Sequence, residues 1–207
     1  MRKSVRNLLG GAMAAAVILA VPVLAQQPPA ESGPTKESPI RFSAFAVNMQ
    51  GGRAGTVDIA IERWSTDAER ENLIEFVKTA TEGEPGQSKL LRALQDISPR
   101  CGFIRTPNSM GWDIKYAREN KLADGTRQIV VVTDKPVSFL AAASQARTMD
   151  YPFSLVEMRF PPGTNKGEGK LLTQTSISVQ NGRLELEIYG QEPTRLTTIT
   201  QQKSKKK

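Results

Sequence analysis

The segment "TQTSISVQNGRLELEIY", Thr173 to Tyr189, constrains the fold more than any other stretch. Asn181-Gly182 sits between two runs of alternating apolar and polar residues, the strongest short signal for a β-hairpin, because both central positions of a type I′ turn need positive φ. A two-residue turn pairs Val179 with Leu184, Ile177 with Leu186 and Thr175 with Ile188 on one apolar face. It pairs Ser178 with Glu185, Ser176 with Glu187 and Gln174 with Tyr189 on the other. A slip of one residue would invert both faces, so the register is specified.

Other stretches share this period of two. "IRFSAFAVN" (40–48) and "TVDIAIERW" (56–64) read as strands joined through "MQGGRAG". In the second, Val57, Ile59 and Ile61 alternate with Asp58, Ala60 and Glu62. Residues 102–133 read as a three-stranded meander, "GFIRT", "WDIKYARE" and the nearly continuous apolar run "QIVVVT". Trp112, Ile114 and Tyr116 are expected on one face of its middle strand. Val156, Met158 and Phe160 mark another strand, and "TRLTTIT" a last one.

Two segments change period. In "STDAERENLIEFVKTA", Thr66 and Glu69 form a capping box, and Leu73, Phe76, Val77 and Ala80 fall on one helical face. "GEPG" ends this helix. Leu90, Ala93, Leu94 and Ile97 repeat the spacing in a shorter helix that stops at Ser98-Pro99. Asp134 can N-cap a third helical segment, "KPVSFLAAAS". The expected fold is α+β, a largely antiparallel sheet with two or three helices packed on one face.

The N-terminus reads as an address. Arg2, Lys3 and Arg6 precede an uncharged apolar run from Leu8 to Leu24, and Val23-Leu24-Ala25 fits a signal-peptidase site. Residues 1–25 are therefore expected to be a cleaved signal peptide, 26–38 a disordered leader, 39–200 one domain and 201–207 a lysine-rich tail. The protein is expected to be exported, periplasmic or secreted, with no transmembrane segment in the mature chain. The net charge of +7 divides into three positive charges in the signal and four in the tail, which leaves 7 − 3 − 4 = 0 for residues 26–202. A neutral domain lacks the basic face that nucleic acid requires, and no nucleic-acid partner is expected.

The composition also excludes chemistry. With no histidine, Ser-His and Cys-His catalysis, His-ligated zinc and proximal-histidine haem are ruled out. One cysteine rules out thiolate clusters and any intrachain disulfide, and Cys101 reads as a small buried hydrophobe. "GTNKGEGK" (163–170) imitates a phosphate loop but has one residue too many and Leu171 in place of Ser or Thr; "GGRAG" (51–55) lacks a strand–helix setting. Both read as turns. No catalytic residue, cofactor or metal ligand is assigned.

"GFIRTPNSMGWDIKYARE", "VVTDKPVSFLAA", "RTMDYPFSLVEMRF" and "NKGEGK" resemble, in that order, a family of uncharacterised exported bacterial proteins with no assigned activity. The resemblance spans Ile40 to Ile199. It implies export and one domain, and it implies nothing on mechanism. An aliphatic residue often precedes the "GF" in that family where this chain has Cys101, which argues against cysteine chemistry.

Two functional readings remain. One is a non-enzymatic exported protein that binds a small ligand or a cell-envelope partner, with Arg105, Asn108, Trp112, Asp134 and Arg147 as a possible pocket. The alternative is a hydrolase working through paired carboxylates. Glu185 and Glu187, two apart on one strand, would lie roughly 6.6 Å apart on one face. An apolar groove on a sheet face would favour the binder, and two close carboxylates in a deep pocket the enzyme.

Overall fold

The computed structural model describes residues 33–48, 52–79, 84–107, 109–137, 152–180, 183–188 and 193–202. Nine strands form within them: β1 (Ile40–Asn48), β2 (Arg53–Ile61), β3 (Gly102–Arg105), β4 (Trp112–Lys121), β5 (Arg127–Thr133), β6 (Phe153–Phe160), β7 (Lys166–Gln180), β8 (Arg183–Ile188) and β9 (Thr194–Gln202). Two helices, α1 (Asp67–Thr79) and α2 (Glu84–Gln95), lie between β2 and β3.

All pairings are antiparallel, in the order β6-β5-β4-β3-β2-β1-β9-β7-β8, with a further pairing of β6 to β7. That last pairing closes eight of the strands into a ring. The expected open α+β sheet with helices on one face is therefore corrected to a closed eight-stranded β-barrel. The expectation failed because period-two alternation marks which side of a strand is buried but not what buries it. Here the apolar faces cover one another across the barrel axis. Of the two or three expected helices, two form among the described residues, and the segment after Val137 lies outside them.

The interior is packed with large side chains. Phe42, Ile59, Ile104, Ile129, Met158 and Phe160 are fully buried, and the Phe42 and Phe160 rings meet at 5.4 Å between centroids. The "NKGEGK" stretch, expected as a turn, supplies the start of β7 from Lys166 onward. Its glycines make room for this packing. A Cβ on Gly169 would stand 2.3 Å from the carbonyl oxygen of Glu157 and 3.0 Å from Ile199, and one on Gly167 would strike the Phe160 ring at 2.8 Å.

Closure needs curvature, and three bulges provide it. Each of β4, β7 and β9 carries one extra residue relative to its neighbour: near Lys115, between Leu172 and Thr175, and at Thr198. Thr198 adopts φ +52°, rare for a β-branched residue. The β4 bulge corrects a second expectation. Ile114 points into the barrel, but Tyr116 turns to the outer face, so Trp112, Ile114 and Tyr116 do not share a side.

Cys101 and Ser65 hold that bulge. The buried Cys101 thiol donates to the Lys115 carbonyl at 3.3 Å, the Ala117 N–H donates to Ser65 Oγ at 3.0 Å, and the Ser65 N–H donates to the Ala117 carbonyl at 2.8 Å. Lys115, turned outward, donates from Nζ to the carbonyls of Gln95 and Ile97 at the end of α2. A cation there satisfies terminal carbonyls and opposes the helix dipole.

The hairpin register read from the sequence is the one observed. Val179 pairs with Leu184, Ser178 with Glu185, Ile177 with Leu186, Ser176 with Glu187 and Thr175 with Ile188. Asn181-Gly182 lies outside the described residues, as does Tyr189. Beyond Thr175, β7 leaves the ring, and β8 takes the edge that β9 occupied earlier along the strand.

Candidate functional site

Outside the barrel, α1 and α2 pack over the wall formed by β4 to β7. The capping box forms as expected: the Glu69 N–H donates to Thr66 Oγ1 at 3.1 Å and the Thr66 N–H to Glu69 at 2.8 Å. Glu69 also receives a two-pronged bond from Arg63 at 2.8 and 2.9 Å, and Arg118 on β4 reaches Asp67 at 2.8 Å. The hydrogen bond from Arg63 holds the Glu69 carboxyl below its ordinary pKa, and that from Arg118 does the same for Asp67. These contacts fix the start of α1 to the barrel.

Gln87 fixes α2. Its buried side-chain Nε2 donates to the Ile177 carbonyl at 2.7 Å, and the Ile177 N–H donates to its Oε1 at 3.1 Å. Ile177 pairs with β8 on its other edge. The Gln87 amide thus completes the edge that β6 no longer reaches, acting as one residue of a strand.

Between the helices and the wall lies a groove of about 650 Å³. The helices contribute Leu73, Ile74, Val77, Leu90 and Leu94, and the wall contributes Tyr116, Val130, Val132, Leu155 and Ile177. The expected α1 stripe is shifted. Ile74 faces the groove, while Phe76 remains 41% exposed, and Ala80 lies outside the described residues.

The floor changes character along the strands. One cross-strand row reads Tyr116, Val132, Leu155 and Leu172. The next reads Arg118, Val130, Glu157 and Lys170, and the one after that Asn120, Gln128, Arg159 and Glu168. Apolar surface thus grades into polar surface within three rows. Among the described residues, the charged ones lining the groove are Arg70, Lys78 and Arg118, all cationic.

A second cleft, about 690 Å³, lies on the polar rows, where Glu157, Arg159, Glu168 and Lys170 alternate in sign across β6 and β7. Burial would raise the Glu157 pKa, but hydrogen bonds from Gln128 at 2.6 Å and from Arg159 outweigh it and hold the carboxyl below its ordinary value. Asp124, in the same cleft, is lowered by the Thr126 N–H. Every described carboxyl with a displaced pKa moves downward. A general acid needs the opposite shift.

Of the five residues expected to form a pocket, the three described ones, Arg105, Trp112 and Asp134, do not line this groove. Arg105 ends β3 exposed, with its guanidinium 5.1 Å from the Phe103 ring centroid. Trp112 starts β4 and packs against the barrel interior, and Asp134 follows β5 half-buried. Strand pairing brings these three to the same end of the β3–β4–β5 ribbon. None lines either cleft above or a third one of about 750 Å³ between Glu119 and Asn165. Asn108 and Arg147 lie outside the described residues, as do the side chains of Glu185 and Glu187.

Burial pushes the Cys101 thiol pKa up, with the Ser65 hydrogen bond opposing it, so the thiol remains protonated and poorly nucleophilic. Among the described residues no cluster of three or more acidic or thiol side chains is arranged to hold a metal. The groove's cationic rim was missed in the sequence, although a signal exists: Arg70, Ile74 and Lys78 recur at four-residue spacing, one column of a helix.

The fold and site define a closed antiparallel barrel with a filled interior and an external apolar groove under a helical pair. Comparison of the chain with protein-family models, curated proteins and solved structures finds no match.

Proposed function

We propose that this is an exported, non-enzymatic binding protein whose site is the groove between α1–α2 and the barrel wall. The observation that carries this reading is an apolar recess of about 650 Å³ outside a filled barrel. That volume lies within the range of about 300–1,000 Å³ typical of small-ligand sites. Export rests on the order of charged, apolar and small-residue regions in residues 1–25, together with the family resemblance.

The barrel surface supports work in water. Arg41, Asp58, Arg105, Asp113, Lys170 and Arg195 are exposed on six different strands, whereas a lipid-facing barrel is apolar outside. No helix among the described residues is long and apolar enough to cross a membrane.

Two measurements test the proposal. An uncharged naphthylamine dye should bind the protein with enhanced fluorescence, and Ile74→Glu, which puts a charge into the groove, should abolish the signal without lowering the urea midpoint appreciably. Failure of the dye to bind wild type would overturn the binding reading. Intact mass of the exported form should begin at or near Gln26, and a retained Met1 would overturn the export reading.

A further inference from the structure

The groove's two ends differ, and that difference selects a ligand. Its inner part is apolar on both sides, with Val77, Leu90 and Leu94 facing Val132, Leu155 and Ile177. Its mouth carries Arg70 and Lys78 on one turn-aligned column of α1 and Arg118 on β4. Among the described residues all the charged lining is of one sign. Asp67 neutralises Arg118 from outside the lining, at 2.8 Å. Arg70 and Lys78 make no ion pair within 4 Å among the described residues.

Resting on the binding reading above, we propose that the groove takes a single-chain fatty acid, its alkyl chain under the helices and its carboxylate on the Arg70 guanidinium, with Lys78, about 12 Å further along α1, adding to the positive rim. A flexible chain matches a recess whose inner row, among the described residues, is apolar apart from the Tyr116 hydroxyl, since burying further polar atoms there would leave them unpaired. A carboxylate matches the mouth because a guanidinium binds it with two parallel hydrogen bonds. A second alkyl chain finds no matching apolar surface: the row beyond Val130 is Asn120, Gln128, Arg159 and Glu168.

The test is displacement of the bound naphthylamine dye by decanoate, decyltrimethylammonium and decyl glucoside, each below its micelle concentration. Decanoate should bind about ten-fold more tightly than the other two, the worth of one charge-assisted contact. The double variant Arg70→Gln/Lys78→Gln should erase that preference, bringing decanoate to the affinity of the other two. Equal binding of the three, or a preference that survives in the double variant, would overturn the carboxylate assignment. If the dye binds in an Ile74-dependent manner yet no decyl compound displaces it, the fatty-acid proposal fails and the groove reading stands. If the dye does not bind wild type, both fail.

Discussion

The molecule has two apolar layers built on the same strands, one inside the barrel and one outside it. The inner layer is bounded by eight strands, and its largest side chains are wholly buried. The outer layer is bounded by strands on one side and by two short helices on the other. Several of its members, such as Leu73, Tyr116 and Val130, are only partly covered. β5 shows both at once: Ile129 and Val131 face inward, while Val130 and Val132 face the helices. A closed ring covers itself completely, whereas a pair of helices covers a curved wall only where it touches. The barrel carries the stability, and the incomplete cover leaves an open apolar groove.

The comparison breaks most visibly at Phe160. Phe160→Ala empties the inner layer and should cost about 3–5 kcal/mol, read as a fall in the urea midpoint. A midpoint near wild type would mean the interior is not the main core.

Gln87→Leu tests what holds the outer layer together. It leaves the Ile177 N–H and carbonyl without their partner and should cost about 1–3 kcal/mol. Hydrogen exchange should accelerate in α2 while β1 and β2 stay protected. Uniform acceleration across the barrel would show that the helices and the barrel unfold as one unit.

Cys101→Ala should cost about 1 kcal/mol, because the weak thiol hydrogen bonds to the Lys115 carbonyl and Ser65 Oγ at the β4 bulge are lost. Native protein should resist a thiol reagent until denaturant is added. Fast labelling under native conditions would contradict the elevated thiol pKa.

The smallest effect is on pH. Glu69, whose folded pKa lies below its ordinary 4.5, adds stability that is fully present above that value and is lost as pH falls through the depressed one. Glu69→Gln should therefore flatten the acid limb of stability against pH. An unchanged limb would show that the Arg63–Glu69 contact contributes nothing measurable.

Legibility differed between the two layers for a physical reason. Val57-Ile59-Ile61 and Val156-Met158-Phe160 announce their inward faces because side-chain direction in a strand is local. The Thr66–Glu69 capping box and the β7–β8 register were readable on the same ground. Tyr116 was not, because the extra residue at Lys115 is set by packing against Cys101, Ser65 and the end of α2. "NKGEGK" looked like a turn, since nothing local shows that Gly167 and Gly169 face Phe160 and Ile199.

The pocket expected from Arg105, Asn108, Trp112, Asp134 and Arg147 rested on residue type, with no information on which strands meet. The rim of Arg70, Lys78 and Arg118 joins residues from α1 and β4 that lie 40 to 48 positions apart along the chain. By itself the sequence determined strand faces, helix starts, one hairpin register and the exclusion of histidine chemistry, all properties of neighbours a few residues apart. Only the tertiary structure decided that β6 pairs with β7 to close a ring, and hence that the apolar groove lies outside the barrel, because closure depends on contacts between residues distant in sequence.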